Sequence, residues 1–145
     1  MSKIFTIFLS LIISSHAFSD VILKPVKSGE TKVLVLIPGA AVKAEQYEGL
    51  AKQIQNTYPE SLWVLIPSFL ANFPNPIQIE SKIKNIINRV QELENLSNKD
   101  IFLAGHSLGG IMARESAKKM DLAGLLLFAS YLPKSDIAGK DFVST

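Results

Sequence analysis

The chain has 145 residues and no cysteine, and 48% of its residues are hydrophobic. This length and composition suit one folded domain with a buried core and argue against a disordered chain. The lack of cysteine excludes disulfide bonds, zinc–thiolate sites and a cysteine nucleophile. The formal net charge of +2 is too small to indicate nucleic acid or an anionic membrane surface as a partner.

The N-terminal residues have the pattern of a secretory signal peptide. A positively charged start precedes an apolar run at residues 4–13, which is shorter than the roughly 20 residues of a membrane-spanning helix. Ala17 and Ser19 place small residues three and one positions before a cleavage site ahead of Asp20. We expect residues 1–19 to be removed and the protein to be secreted or periplasmic, with no membrane span afterwards. A buried N-terminal strand or an uncleaved anchor is the alternative.

Apolar runs and helical patterns then alternate along the chain. Residues 21–26 alternate and lead into a turn, which predicts a hairpin-like entry strand. Residues 32–37, Lys-Val-Leu-Val-Leu-Ile, form a continuous β-branched and leucine run before Pro38 and Gly39, which is typical of a central parallel strand buried on both faces. Apolar residues at helical spacing next predict a helix packed on the sheet; they are Tyr47, Leu50, Ala51, Ile54 and Tyr58.

The middle of the chain repeats this order. Residues 61–66 predict a strand closed by Pro67, and the proline-containing residues 68–76 predict an irregular loop. A second helix is predicted over residues 77–93, where the apolar positions are Ile79, Ile83, Ile86, Ile87, Val90 and Leu93. Residues 122–128 predict one more buried strand, followed by a loop from Tyr131 onward.

Strands alternate with helices, and the connections are long enough to cross over the sheet. This order predicts an α/β fold, a mostly parallel sheet with helices on both faces. The pattern continues through residues 20–145 without a linker or repeat, so we expect a single domain.

The most informative stretch is Ile-Phe-Leu-Ala-Gly-His-Ser-Leu-Gly-Gly at residues 101–110. An apolar strand stops at Gly-x-Ser-x-Gly and a helical pattern follows to about Lys119, which is the order of a nucleophile elbow. Gly105 and Gly109 permit close approach of strand and helix around Ser107. The helix N-terminus directs N–H groups and partial positive charge at an anion formed beside the serine. A glycine-rich turn without a catalytic role is the alternative.

Together with Val-Leu-Val-Leu-Ile-Pro-Gly-Ala at residues 33–40, the elbow resembles the α/β-hydrolase fold family, in its lipase, esterase and dienelactone-hydrolase-like part. The resemblance implies that Ser107 is the nucleophile and that the backbone N–H groups of Leu108 and Ala40 form an oxyanion hole. Such donors stabilise the oxyanion of ester cleavage by about 3 to 4 kcal/mol each. Pro38 stands where many members have histidine, which leaves open which residue of that loop donates.

The resemblance also implies the rest of the chemistry. The substrate would be a small-molecule or lipid ester, and the sequence contains no cofactor motif and no cluster of metal ligands. A serine hydroxyl needs a base, which in this family is a histidine after the last strand, oriented by an acid. Of the two histidines, His16 lies in the expected signal peptide, and His106 is expected to pack beside the turn or contact solvent.

Asp136, after the strand that follows the elbow, is the candidate acid, with a solvated loop aspartate as the alternative; Asp141 is a weaker candidate. The resemblance covers residues 20–145 but only about the first half of a usual family domain. We therefore expect a domain that is incomplete at its C-terminus and nearly inactive as this chain.

Two functions remain compatible with the sequence, besides a domain in which the elbow is accidental. The first is a serine hydrolase of carboxylic esters, of the lipase or esterase type. The alternative is a non-catalytic α/β-hydrolase-like domain that binds a ligand or partner through the same cleft. No pattern in the sequence predicts the oligomeric state.

Overall fold

A computed structural model describes residues 19–137, which form one sheet in the order β1-β3-β2-β4-β5. The strands are β1 (Val21–Leu23), β2 (Thr31–Ile37), β3 (Ser61–Ile66), β4 (Ile101–His106) and β5 (Gly124–Phe128). All neighbouring strands pair in parallel except β1, which runs antiparallel to β3. The mostly parallel sheet predicted from the sequence is confirmed. Residues 1–18 of the expected signal peptide and Asp141 lie outside the described residues.

Helices cover both faces of the sheet. They are α1 (Glu48–Thr57), α2 (Ile79–Glu94), α3 (Leu108–Ala117) and the short α4 (Lys134–Ile137). Shorter 3₁₀ helices lie at Ala44–Tyr47, Leu70–Asn72 and Asn98–Asp100. Residues of α1 pack on one face, whereas residues of α2 and α3 pack on the other. The predicted placement of helices on both faces is therefore confirmed.

Strand β2 lies at the centre of the core. Val33, Val35 and Ile37 join the cluster on the α2 and α3 face, and Leu34 and Leu36 join the cluster on the α1 face. Because side chains alternate along a strand, a strand apolar at every position must be buried on both faces. All five side chains are at most 5% exposed, as the sequence predicts.

The entry strand differs from its prediction. It ends at Leu23 instead of residue 26, and it pairs with β3 instead of forming a hairpin with the next strand. Gln55 is the physical reason that this end of β1 is held beside β3. Its Nε2 donates to the carbonyls of Leu23 (3.2 Å), Lys24 (3.0 Å) and Leu62 (2.7 Å). Gln55 is not one of the apolar positions from which this helix was predicted, yet it is buried.

The Asp20 side chain connects the start of the described chain to the loop after β3. Its carboxylate accepts hydrogen bonds from the Ser68 N–H (2.8 Å) and hydroxyl (3.0 Å). Lys82 and Arg89 of α2 lie 3.7 and 3.4 Å from the same carboxylate. The N-terminal segment, the loop and α2 therefore share one ionic contact.

Smaller differences occur at element ends. Leu50 and Leu93, predicted on apolar helix faces, are 43% and 73% exposed. Strand β5 begins at Gly124 instead of residue 122, pairs only with β4 within the described residues, and leaves Leu126 39% exposed. It is therefore half-buried, not fully buried as predicted. Helix α3 ends slightly earlier than predicted, and α4 lies where a loop was expected.

The topology brings two strand ends together. The chain runs from β2 to β3 on one side and then to β4 on the other side of β2. Ile37 at the end of β2 pairs with Gly105 near the end of β4. In open parallel sheets, ligands bind where the connections diverge in this way. The loop after β2 and the turn after β4 thus meet at the position where a site is expected.

Candidate active site

Ser107 occupies the sharp turn between β4 and α3. Its backbone has φ 52° and ψ −121°, a conformation that non-glycine residues rarely adopt and that costs roughly 1–3 kcal/mol. The Ser107 N–H donates to the Phe128 carbonyl (3.0 Å), and its carbonyl accepts from the Gly110 N–H (3.0 Å) and the Ser130 hydroxyl (2.8 Å). The residue is exposed. The turn therefore presents a serine at the carboxyl edge of the sheet on a strained, well-anchored backbone.

Three glycines allow the chain to pack this tightly. A Cβ on Gly105 would lie 2.4 Å from the Gly109 carbonyl oxygen, and one on Gly110 would lie 2.3 Å from the Ser130 Oγ. A Cβ on Gly109 would lie 2.2 Å from the carbonyl oxygen of Pro38, in the loop after β2. The approach of strand and helix at Gly105 agrees with the sequence prediction. The sequence did not predict that Gly109 seats α3 directly against the other loop.

The Leu108 N–H lies at the start of α3. The first N–H groups of a helix have no intrahelical partner, and within residues 19–137 that of Leu108 has no acceptor. These groups carry the positive end of the helix dipole. The turn therefore combines an exposed hydroxyl with an adjacent unpaired donor.

The loop after β2 leaves a second donor unpaired. The Gly39 N–H donates to the Tyr47 hydroxyl oxygen (2.9 Å). The Ala41 N–H donates to the Asn72 carbonyl (2.9 Å), and the Val42 N–H makes a longer bond of 3.4 Å within the loop. In this part of the described chain, only the Ala40 N–H is without an acceptor. Of the residues in this loop, Ala40 is thus the one with a free donor.

His106 is tied to Tyr47. Its Nδ1 lies 2.8 Å from the Tyr47 Oη, and the two rings are 5.9 Å apart at a tilt of 58°. The sequence interpretation expected packing or solvent contact, and the structure adds this hydrogen bond. No local pattern could have revealed the pair, because Tyr47 appears in the sequence only as one apolar helix position.

The backbone of Asp136, the candidate acid, lies in α4 beyond β5. Within residues 19–137 no group of three His, Cys, Asp or Glu residues could hold a metal ion. The same residues contain no helix long and apolar enough to cross a membrane.

Comparison with known proteins identifies the family. A sequence profile of the Alpha/beta hydrolase family matches residues 33–144. The match spans more than half of the chain, including the loop after β2, strands β3 to β5 and the serine turn, so the chain belongs to the alpha/beta hydrolase family.

Individual relatives are more distant. The alpha/beta hydrolase nvfD of Aspergillus novofumigatus (strain IBT 16806) is 30% identical over 87 residues, 59% of this chain and 33% of that protein. A carboxyl esterase from Bacillus coagulans superposes with a TM-score of 0.61 at 16% identity, covering 74% of this chain and 38% of the esterase. For esterase PE8 the TM-score is 0.60 at 14% identity, covering 79% and 64% of the two chains.

At such identities the two esterase structures establish a shared fold. The chain spans about a third of the nvfD protein and less than two thirds of either esterase.

Proposed function

We propose that the protein is a serine hydrolase of carboxylic esters, with Ser107 as nucleophile and the N–H groups of Leu108 and Ala40 as the oxyanion hole. The observation that carries the proposal is the strained backbone of Ser107, seated beside a loop with one unpaired N–H. Membership of the alpha/beta hydrolase family and the likeness to esterase folds support small-molecule or lipid esters as substrates.

In the proposed reaction the Ser107 Oγ attacks the ester carbonyl carbon. A new C–O bond forms while the carbonyl π electrons move to oxygen, which becomes the oxyanion. Collapse of this intermediate expels the alcohol and leaves an acyl ester on Ser107, which water then hydrolyses. Donors that are already oriented need no rearrangement as charge develops, and losing one such donor costs roughly 10²- to 10³-fold in turnover.

The serine proton needs an acceptor. No hydrogen bond joins His106 to the Ser107 hydroxyl within residues 19–137, and the His106 Nδ1 is bound to Tyr47. The proposal therefore assigns the general base to a group outside those residues, with Asp136 as the candidate acid. Removing the base from a serine triad lowers turnover by about 10⁶-fold in subtilisin. We accordingly propose that residues 1–145 alone hydrolyse esters very slowly. A secreted or periplasmic location is part of the same proposal.

The lack of a hydrogen bond between His106 and the Ser107 hydroxyl within residues 19–137 also favours one alternative function, a non-catalytic domain that binds a ligand or partner in the cleft beside Ser107. The two proposals differ in one chemical property. An esterase retains a serine that reacts with an electrophile once a base is supplied, whereas a binding domain needs no reactive serine.

The experiment supplies that base. The purified chain is treated with an organophosphorus ester with and without added imidazole, and the adduct is located by peptide mass mapping. We expect the adduct on Ser107, formed roughly tenfold faster or more with imidazole. Ser107→Ala should abolish it, and Ser81→Ala, at an exposed serine on α2, should leave the rate unchanged.

Two results would contradict the proposal. Label that persists in Ser107→Ala would remove the nucleophile assignment. Wild-type protein that stays unlabelled with imidazole would favour the binding domain.

A further inference from the structure

The oxyanion loop, residues 38–42, is held from two sides. On one side the Tyr47 hydroxyl oxygen accepts a hydrogen bond from the Gly39 N–H (2.9 Å). On the other side the Asn72 carbonyl accepts a hydrogen bond from the Ala41 N–H (2.9 Å). The peptide N–H between these anchors, that of Ala40, has no acceptor among the described residues. Fixing the residues on either side of Ala40 limits rotation of its peptide plane.

We call the Tyr47 hydroxyl and the Asn72 carbonyl, which hold the two sides of the loop, the clamp on the oxyanion loop. The Tyr47 side of this clamp is buried in the core. Tyr47 ends the 3₁₀ helix before α1 and is 8% exposed. Its ring packs in the cluster that contains Ala44, Ala51 and Ala104. The hydroxyl oxygen lies at the carboxyl ends of β2 and β4, where it contacts the Gly39 N–H and the His106 Nδ1.

The direction of the hydrogen bonds follows from the number of protons available. The Gly39 N–H can only donate, so the Tyr47 oxygen accepts from it and retains one O–H to give. The His106 Nδ1 lies 2.8 Å from the same oxygen. We assign this nitrogen as the acceptor of the O–H, which places the imidazole proton on Nε2. His106 precedes Ser107 in the chain, so two hydrogen bonds connect the elbow to the oxyanion loop.

Close packing reinforces this connection. A Cβ on Gly39 would lie 2.8 Å from the His106 Nδ1 and 3.3 Å from the Tyr47 Oη. Only a glycine leaves room for the imidazole and hydroxyl to lie against the loop at this point.

From these contacts we infer that Tyr47 and His106 are positioning residues of the oxyanion hole. The His106 ring orients the Tyr47 hydroxyl, the hydroxyl holds the Gly39 N–H, and the Ala40 N–H is thereby kept facing the position that the oxyanion will occupy. This inference rests on the function proposed above, because it assigns a purpose to the Ala40 donor. Neither residue touches the reacting atoms.

The test compares Tyr47→Phe, which removes only the hydroxyl, with Tyr58→Phe. Tyr58 packs against the same cluster, and its hydroxyl makes no hydrogen bond within residues 19–137. The first readout is the imidazole-assisted rate of Ser107 labelling by an organophosphorus ester. We expect Tyr47→Phe to lower this rate about 10- to 100-fold, less than the loss of a whole donor, and Tyr58→Phe to leave it within twofold.

A second readout does not depend on reactivity. In ¹H–¹⁵N spectra of the 145-residue chain, Tyr47→Phe should shift the Gly39 amide and shorten its hydrogen-exchange lifetime, while amides of the central strand β2 keep their protection. His106→Phe should shift the same amide, and the double variant should label no more slowly than Tyr47→Phe alone, because both changes break one network.

The outcomes separate the two proposals. Wild-type protein that does not label at Ser107 overturns the proposed function and this inference with it. If wild-type protein labels, but Tyr47→Phe labels equally fast with an unaltered Gly39 amide, the inference is overturned and the proposed function stands. A slower rate in Tyr58→Phe of the same size would also overturn it, because the effect would then reflect loss of packing.

Discussion

At the scale of single residues, the backbone of Ser107 is strained. Its φ of 52° with ψ of −121° is imposed by hydrogen bonds to Phe128, Gly110 and Ser130. A glycine would adopt this conformation without the cost that a Cβ introduces. The chain has a serine there despite the strain, which supports the proposed role of its hydroxyl.

Replacement of Ser107 by glycine should therefore stabilise the protein relative to replacement by alanine. Alanine keeps the Cβ and its strain, of roughly 1–3 kcal/mol, whereas glycine relieves it but gains about 0.5–1 kcal/mol of chain entropy when unfolded. We expect Ser107→Gly to exceed Ser107→Ala by about 1 kcal/mol in the free energy of unfolding. Urea denaturation measures this difference, provided that the two variants have equal slopes. Equal midpoints for Ser107→Gly and Ser107→Ala would contradict backbone strain at residue 107.

At the scale of elements, the turn at Ser107 depends on direct backbone contact among β4, α3 and the loop after β2. Gly105 lets β4 touch α3, and Gly109 lets α3 touch the loop after β2 at Pro38. A side chain of any size at Gly109 would push the first turn of α3, with its Leu108 donor, away from that loop.

Gly109→Ala should thus be severely destabilising, by about 3 kcal/mol, because its Cβ would meet two main-chain carbonyl oxygens that cannot rotate away. The matched control is Gly49→Ala in α1, where a new Cβ meets nothing within 4 Å. Alanine is the better helix former, so this change should raise stability by roughly 0.5–1 kcal/mol. Thermal melts of both variants measure these changes in stability. A small loss of stability in Gly109→Ala would contradict a tight contact between Gly109 and the loop after β2.

The elements that could be predicted from the sequence are those whose own pattern decides burial. Strand β2 is apolar from Val33 to Ile37, and α2 repeats its isoleucines at helical spacing, so the type of both elements and the faces on which these residues are buried were predicted correctly. The partner of β1 was not, because the end of β1 is held by hydrogen bonds from Gln55, which is 32 residues from Leu23 and 31 from Lys24 in the sequence. Strand pairing of this kind has no local signature.

The candidate site divides in the same way. The elbow around Ser107 could be predicted because strand, glycine, serine and helix are consecutive in the chain. The clamp on the oxyanion loop could not, because Tyr47 and His106 are 59 residues apart, and Asn72 contributes a backbone carbonyl that any residue carries.

At the scale of the whole molecule, an ionic cluster lies at the opposite end of the sheet from Ser107. The Lys32 Nζ contacts Glu30 and lies 2.7 Å from the Asp100 carboxylate. Asp100 also accepts from the Ser97 N–H (3.0 Å) and hydroxyl (2.8 Å). The bond from Lys32, followed by those from Ser97, lowers the pKa of Asp100 from 3.8 to about 2. The bonds to Asp100 and Glu30 in turn raise the pKa of Lys32.

These shifts fix the sign of the pH dependence. A carboxyl whose pKa is lower in the folded protein contributes stability above its unfolded pKa, and that contribution is lost as the pH falls through the folded pKa. We expect the melting temperature to fall between about pH 4 and pH 2, and Asp100→Asn to make that fall shallower. Asp121→Asn, at a carboxylate that is 82% exposed, is the control, and an equal slope in Asp100→Asn would contradict the assignment.

Under the proposed export, the contact between Asp20 and Ser68 would make the exact position of signal-peptide cleavage matter to the fold. Cleavage between Ser19 and Asp20, as proposed, leaves Asp20 as the first residue and gives it a new ammonium group beside its carboxylate. That carboxylate still meets Ser68, Lys82 and Arg89. Cleavage one bond later would remove Asp20. Lys82 and Arg89 would then lose the carboxylate with which they pair. The choice of the cleaved bond would therefore decide whether Lys82 and Arg89 keep their carboxylate partner.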